Sequence, residues 1–245
     1  MASERDKTTP APRDTRSDPA AASSRAEIDA FIQRARTVAP PVEGKRGRLV
    51  FALDATMSRQ PTWDTACRLQ AEMFREAAAI GGLDVQLVYF RGLNECRASR
   101  WVSDGEGLGD LMGRIHCVGG HTQIRKVLSH ARAEHARGKV AALVYVGDAM
   151  EEGIDDLAAG AGELGLLGIP AFVFHEGHDP IAEQAFREIA RLTRGAYCRF
   201  DLSAAHELAE LLRAAAVYAA GGVKALADLS AKQGRGAQKL LAQMR

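Results

Sequence analysis

Short, continuously apolar segments alternate with amphipathic ones along most of this chain, and this alternation restricts the possible folds more than any other feature. The apolar segments have the length of β-strands. They are predicted at residues 49–54, 84–90, 96–102, 140–148, 169–174 and 196–200. Strands that are apolar on both faces are typical of parallel sheets covered by helices. The sequence therefore predicts an α/β fold: a doubly wound, mostly parallel, Rossmann-like sheet with helices on both faces.

The segments between these strands have apolar residues at helical spacing. One predicted helix begins at Pro61 and ends before Gly81, and the next covers 108 to about 117. Further helices are predicted at 124–137 and 155–167, from Pro180 onwards, and through residue 217. With the strands, they predict a single domain over residues 48–220.

The two ends of the chain differ in composition from this central part. Residues 1–23 combine Pro, Ser, Thr and charged residues without periodicity, which predicts a disordered tail. Residues 24–47 are predicted to be an N-terminal helix, opened by a Ser24–Glu27 capping box, and a linker. Residues 221–245, rich in Lys and Arg, are predicted to be a basic helical tail broken at Gly234 and Gly236.

Charge and hydropathy exclude several classes of partner. Lys and Arg number 32 against 31 Asp and Glu, so the net charge is +1. This balance argues against nucleic-acid or anionic membrane partners, which favour a strongly basic surface. No apolar run could span a bilayer and no secretory signal is visible, so a cytoplasmic location is expected. The four cysteines form no C-x-x-C pair and are expected to be reduced core residues.

Oxygen-bearing side chains follow the predicted strands at three places. Asp54, Thr56 and Ser58 follow the first strand, Asp148 ends the 140–148 strand, and Thr122 lies in a Gly-Gly-His-Thr segment between them. In such sheets, ligands bind beyond the carboxyl ends of the strands, where the strand order reverses. Carboxylates and hydroxyls are the donors that suit Mg²⁺, with Mn²⁺ or Ca²⁺ also possible. The sequence therefore predicts a divalent-cation site.

The same motifs resemble the metal-ion-dependent adhesion site (MIDAS) of von Willebrand factor type A (VWA) domains, in particular cytosolic bacterial ones. They are Asp54-x-Thr56-x-Ser58, the Thr122 segment and Asp148, and the later FREIARLTRGAYCRF resembles that family's closing helix and strand. The resemblance implies that Thr56, Ser58 and Thr122 bind the metal directly and that the two Asp bind directly or through water. The family usually has Ser in place of Thr56 and Gly in place of Ala149.

The resemblance implies a binding module whose metal accepts an Asp or Glu from another protein, and not an enzyme. The resemblance further implies that the protein acts as an adaptor for ATP-driven or chaperone machinery. The alternative is a Mg²⁺-dependent phosphohydrolase of the haloacid dehalogenase type with Asp54 as nucleophile. Thr56 disfavours this alternative because those enzymes have a D-x-D pattern.

Overall fold

The computed structural model describes residues 46–60, 63, 82–200, 205–232 and 234–244. The predicted disordered tail, the predicted N-terminal helix and nearly all of the helix predicted from Pro61 lie outside these residues. Of that last helix, only Trp63 is described, and it is buried.

The described strands form one six-stranded sheet in the order β3-β2-β1-β4-β5-β6. Their bounds are β1 Gly47–Asp54, β2 Leu83–Arg91, β3 Glu95–Val102, β4 Ala142–Gly147, β5 Ala171–Glu176 and β6 Ala196–Phe200. All neighbours are parallel except β2 and β3, which form an antiparallel hairpin at one edge. Strand order reverses between β1 and β4, so this pair marks the place where ligands bind in such sheets.

The described α-helices follow the alternation that the sequence predicts. Their bounds are α1 Gly105–Met112, α2 Ile124–Arg137, α3 Ile154–Leu166, α4 Pro180–Leu192, α5 Ala205–Ala231 and α6 Arg235–Leu241. The prediction of a doubly wound, mostly parallel α/β fold is confirmed.

Alternate side chains of each strand enter opposite halves of the core. On β1, Leu49 and Phe51 pack into the half that α1, α5 and α6 cover. Val50 and Ala52 pack into the half formed with α2, α3 and α4. The sheet is therefore covered on both faces, which explains why its central strands lack a polar face.

Helix α1 differs from its predicted bounds of 108 to about 117. The Asp104 carboxylate accepts a hydrogen bond from the Gly107 backbone N–H (2.6 Å) and caps the helix at Gly105. The helix ends at Met112, so Ile115 and Cys117 are buried from a loop. Because Ile115 and Cys117 are apolar, the sequence pattern predicted that the helix continues for another turn.

The C-terminal segment continues the helical layer across residue 221. The helical backbone of α5 is interrupted by a kink at Gly222, whose φ of 68° favours glycine, and a second helical stretch continues to Ala231. Leu226 and, from α6, Leu240 are buried in the same core half as β1. Gln243 then accepts a hydrogen bond on its Oε1 from the Tyr197 backbone N–H of β6 (2.8 Å). In the described part of the chain, no helix is long and apolar enough to cross a bilayer.

Candidate metal centre

Three loops meet at the carboxyl ends of β1 and β4. The loop after β1 contains a 3₁₀ turn, Met57–Arg59, and the other two loops precede α2 and follow β4. The Val118 N–H donates to the Ala55 carbonyl (3.0 Å) and joins the first two loops. The Glu151 N–H donates to Thr122 Oγ1 (3.0 Å) and joins the loop after β4 to them.

The residues of the first motif contact each other. Asp54 is fully buried, and its Oδ1 accepts a hydrogen bond from the Thr56 backbone N–H (2.8 Å). Thr56 Oγ1 lies 3.1 Å from Ser58 Oγ, so these two hydroxyls share a hydrogen bond. Thr56 is nearly buried and Ser58 is exposed, so the motif runs from the sheet towards solvent.

Asp54 and Asp148 come together from neighbouring strands. The pairing of Leu53 with Val146 brings Asp54 level with Gly147, directly before Asp148. The two carboxylates interact electrostatically. Burial and the charge of Asp148 raise the pKa of Asp54 to about 6, although bonds from Thr56 and the charge of Arg59 oppose the shift.

Among the described residues, one oxygen of each of these carboxylates has no hydrogen-bond partner. Asp54 Oδ2 and Asp148 Oδ1 are buried and accept no hydrogen bond within the described part of the chain. A buried, unsatisfied carboxylate oxygen is costly, and a bound cation removes that cost. The donor set therefore fits a hard divalent ion.

Thr122 is held in place by the loop that follows Asp148. Its backbone N–H donates to Glu151 Oε2 (3.1 Å), and the same oxygen lies 2.9 Å from His121 Nδ1. The Glu152 carboxylate accepts bonds from the backbone N–H groups of Ile124 and Arg125 and satisfies the start of α2. Thr122 is thus hydrogen-bonded to Glu151, on the loop that also contains Asp148.

A buried ion pair beside this centre was not predicted from the sequence. Arg59 is fully buried, and its Nη1 pairs with Glu176 Oε2 at the end of β5. Burial lowers the pKa of the guanidinium, whereas its attraction to Asp148 and Asp54 raises it. The one sequence feature that could have indicated this pair is the position of Arg59 directly after Ser58. Glu176 was not considered because it lies two residues beyond the predicted end of its strand, at 174.

Tyr145 on β4 brings a buried hydroxyl close to the same carboxylates. Its Oη has no hydrogen-bond partner among the described residues, and the ring packs edge-on against Phe186. Burial and the charges of Asp54 and Asp148 hold its pKa well above the ordinary value. The Tyr145 side chain is therefore an uncharged hydroxyl whose hydrogen is available for donation to an acceptor.

Over the described residues, no cluster of three or more His, Cys, Asp or Glu could hold a metal. A cation at this edge would therefore depend on hydroxyl oxygens as well as carboxylates. Of the residues predicted to bind a cation, Asp54, Thr56 and Ser58 contact one another, whereas Thr122 and Asp148 lie on the other two loops.

Comparisons with known proteins identify the fold. No family model and no curated protein matches the sequence. The VWA domain of SpRpn10 matches with a TM-score of 0.53 at 11% identity, covering 67% of this chain and 95% of that one. The vWF domain of the type V pili tip protein Mfa5 from Porphyromonas gingivalis matches with a TM-score of 0.50 at 11% identity, covering 67% and 94%.

Proximal thread matrix protein 1 from the mussel byssus, solved with a zinc-occupied MIDAS motif, is also similar. It matches with a TM-score of 0.57 at 15% identity, covering 73% of this chain and 48% of that one. The chain thus spans about half the length of the mussel protein and nearly all of the isolated VWA domains. The described residues have the VWA-like, Rossmann-type fold.

Proposed function

We propose that this protein is a divalent-cation-dependent binding module, in which Asp54, Thr56, Ser58, Thr122 and Asp148 hold Mg²⁺, or Mn²⁺ or Ca²⁺. The observation that carries the proposal is the pair of buried oxygens, Asp54 Oδ2 and Asp148 Oδ1, which accept no hydrogen bond from the described residues. They lie at the strand-order reversal between β1 and β4. The zinc-occupied MIDAS of the mussel protein supports a metal at this edge of a similar fold.

The proposed ligand is a carboxylate from another protein. Only two of the five proposed ligands are carboxylates, and the hydroxyls complete the shell without adding negative charge, so the ion can still attract an acidic group from outside. A position left to water can accept an Asp or Glu of a partner. The exposure of Ser58 at the outer end of the motif supports access from solvent.

The resemblance to VWA domains suggests an adaptor that docks on ATP-driven or chaperone machinery in the cytoplasm. A pull-down of the full chain from cytosolic extract, with Mg²⁺ or with a chelator, tests this suggestion. We expect wild-type protein to retain an acidic partner only with Mg²⁺, and Asp54→Ala protein to retain none. Retention that is equal in both buffers and both proteins contradicts the adaptor role.

Thermal unfolding tests the metal site itself. A ligand that binds only the folded state stabilises it by about 2.7 kcal/mol at a concentration one hundred times its Kd. Mg²⁺ should therefore raise the Tm of the wild type, and Asp54→Ala or Asp148→Ala should remove the rise. Asp110→Ala, which changes an exposed carboxylate on α1, is the matched control and should respond like the wild type.

Two results would contradict the proposal. One is a Mg²⁺ response that both site variants retain. The other is Mg²⁺-dependent turnover of phosphoesters that Asp54→Asn abolishes, which would support the phosphohydrolase with Asp54 as nucleophile.

A further inference from the structure

A nearly fully buried ion pair lies beside the proposed cation site. Arg59 follows Ser58 in sequence, and its side chain is 1% exposed; Glu176, its partner, is 6% exposed. Removing two charges from water is expensive, and such pairs contribute little net stability. A buried pair at this location therefore invites an explanation other than stability.

The strand register places Asp148 beside Glu176 at the carboxyl ends of β4 and β5. Gly147 on β4 pairs with His175 on β5, so Asp148 and Glu176 are the next residues on neighbouring strands. Asp54 ends β1 on the other side of β4, level with Gly147 and one residue short of Asp148, with which it interacts electrostatically. Adjacent strands are about 4.8 Å apart, so one guanidinium can reach carboxylates at the ends of neighbouring strands.

Arg59 is attracted to all three acids. It pairs with Glu176 and interacts electrostatically with Asp148 and Asp54. A guanidinium can bind two carboxylates at once with its planar fork of donors. If it bridged Asp54 and Asp148, it would take the place proposed for the metal.

The charges of these three acids and Arg59 indicate which of the acids pairs with the guanidinium and which remain for a cation. Asp54, Asp148 and Glu176 carry three negative charges and Arg59 carries one positive charge, which leaves a net charge that a divalent ion neutralises. With Arg59 and Glu176 paired, that net charge resides on the two Asp.

We propose that Glu176 is a positioning residue of the metal site: it holds the Arg59 guanidinium in a neutral pair and thereby leaves Asp54 and Asp148 available to a divalent cation. The inference rests on the proposed metal site. It adds two residues outside the proposed ligand set: Arg59, which can compete with the cation for the two Asp, and Glu176, which prevents that competition.

Mn²⁺ binding to the full chain, measured by the electron paramagnetic resonance signal of free Mn²⁺, tests the proposal. Glu176→Gln should weaken binding by about tenfold or more, because the released guanidinium turns to the two Asp. The double variant Arg59→Gln/Glu176→Gln should bind within about threefold of the wild type, since it removes both charges of a neutral pair. Glu163→Gln, which breaks the exposed ion pair with Arg132, is the matched control and should not change binding.

Metal-free Tm values give a second readout. Glu176→Gln should lower the Tm because it removes the acid that pairs with the buried Arg59, and the double variant should recover much of the loss. If Glu176→Gln does not fold, Mn²⁺ binding by the double variant still tests the proposal. Binding more than about tenfold tighter than in the wild type would show that Arg59 competes with the metal despite Glu176, and would overturn the proposal.

The outcomes separate this inference from the proposed function. A wild type that binds no Mn²⁺ overturns the metal site and the inference with it. A wild type that binds Mn²⁺, together with a folded Glu176→Gln variant of equal affinity, overturns only the role of Glu176.

Discussion

Thr122 and Glu151 are joined by two reciprocal hydrogen bonds. The Thr122 N–H donates to Glu151 Oε2 (3.1 Å), and the Glu151 N–H donates to Thr122 Oγ1 (3.0 Å). The pair connects the loop before α2 to the loop that begins with Asp148. Glu151, which is outside the proposed ligand set, thus orients the proposed ligand Thr122, as outer contacts commonly do in metal sites.

Glu151→Ala should weaken Mn²⁺ binding by about tenfold, because the loop that bears Thr122 loses its carboxylate partner. The free energy of unfolding should fall by only about 1 kcal/mol, since water can replace the lost acceptor at this partly exposed place. Mn²⁺ titration and urea denaturation measure the two effects. Glu151→Gln retains an acceptor oxygen and should bind more tightly than Glu151→Ala; equal affinity in both variants would contradict the role given to the side chain.

The two glycines before His121 should tolerate alanine very differently. A Cβ on Gly120 would lie 2.0 Å from the Gly92 carbonyl oxygen, whereas a Cβ on Gly119 would meet no atom within 4 Å. The Gly92 carbonyl also accepts the His121 N–H (3.1 Å), so it cannot move without breaking that bond. Gly120→Ala should therefore cost about 1–3 kcal/mol of stability and weaken Mn²⁺ binding.

Gly119→Ala is the matched control for this prediction. It makes the same chemical change one residue away and should leave the Tm and the Mn²⁺ affinity near their wild-type values. Similar losses in the two variants would show that the close approach of Gly120 to Gly92 does not constrain the loop.

Asp54 should make the stability of the metal-free protein depend on pH. Its pKa is about 6 in the folded chain and close to 3.8 in the unfolded one, so between these values the folded state binds more protons. Stability contributed by the protonated carboxyl is therefore present below about pH 4 and is lost as pH rises through about 6, by about 2–3 kcal/mol. Asp54→Asn should remove this decline.

Urea denaturation in a chelator, repeated across this pH range, measures the effect. The unfolding free energies of Asp54→Asn and the wild type should diverge as pH rises, with the variant the more stable near neutral pH. Curves that stay parallel would contradict the raised pKa. Mg²⁺ should reduce the difference near neutral pH because it stabilises only the wild type.

Thr193 should be a stability determinant remote from the site. Its Oγ1 accepts a hydrogen bond from the Ala171 N–H (3.1 Å) at the start of β5 and donates to the Ile189 carbonyl (2.8 Å), and the residue is buried. Thr193→Val keeps the shape but leaves the Ala171 N–H unsatisfied, so the unfolding free energy should fall by about 1–3 kcal/mol. Thr193→Ser keeps the hydroxyl and should cost less in the same urea titration, with Mn²⁺ binding unchanged in both variants.

The fold could be predicted from the sequence because its signal is local. Each central strand is a short apolar run, and each helix has its own apolar face. The antiparallel direction of β3 was less visible, because it depends on the turn at Gly92, whose φ is 59°. Gly221-Gly222 indicates a break in the helix, and the backbone of Gly222 is non-helical; what the sequence did not show is that Leu226, beyond this break, is buried in the same core.

The site was partly visible for the same reason. Asp54, Thr56 and Ser58 are close in sequence, and their mutual contacts follow from one turn. The Arg59–Glu176 pair joins positions more than one hundred residues apart, and it depends on the register of β4 with β5. The register of two strands cannot be predicted from a local sequence pattern, so Glu176 could not be identified from the sequence as the partner of Arg59.

The bond from the Tyr197 N–H to Gln243 has a consequence for the whole sheet. β6 is an outer strand, and unprotected outer strands can recruit a strand from another molecule. Because Gln243 already accepts the hydrogen bond of the Tyr197 N–H, this part of β6 is blocked from pairing with a strand of another copy of the chain, which would lead to aggregation.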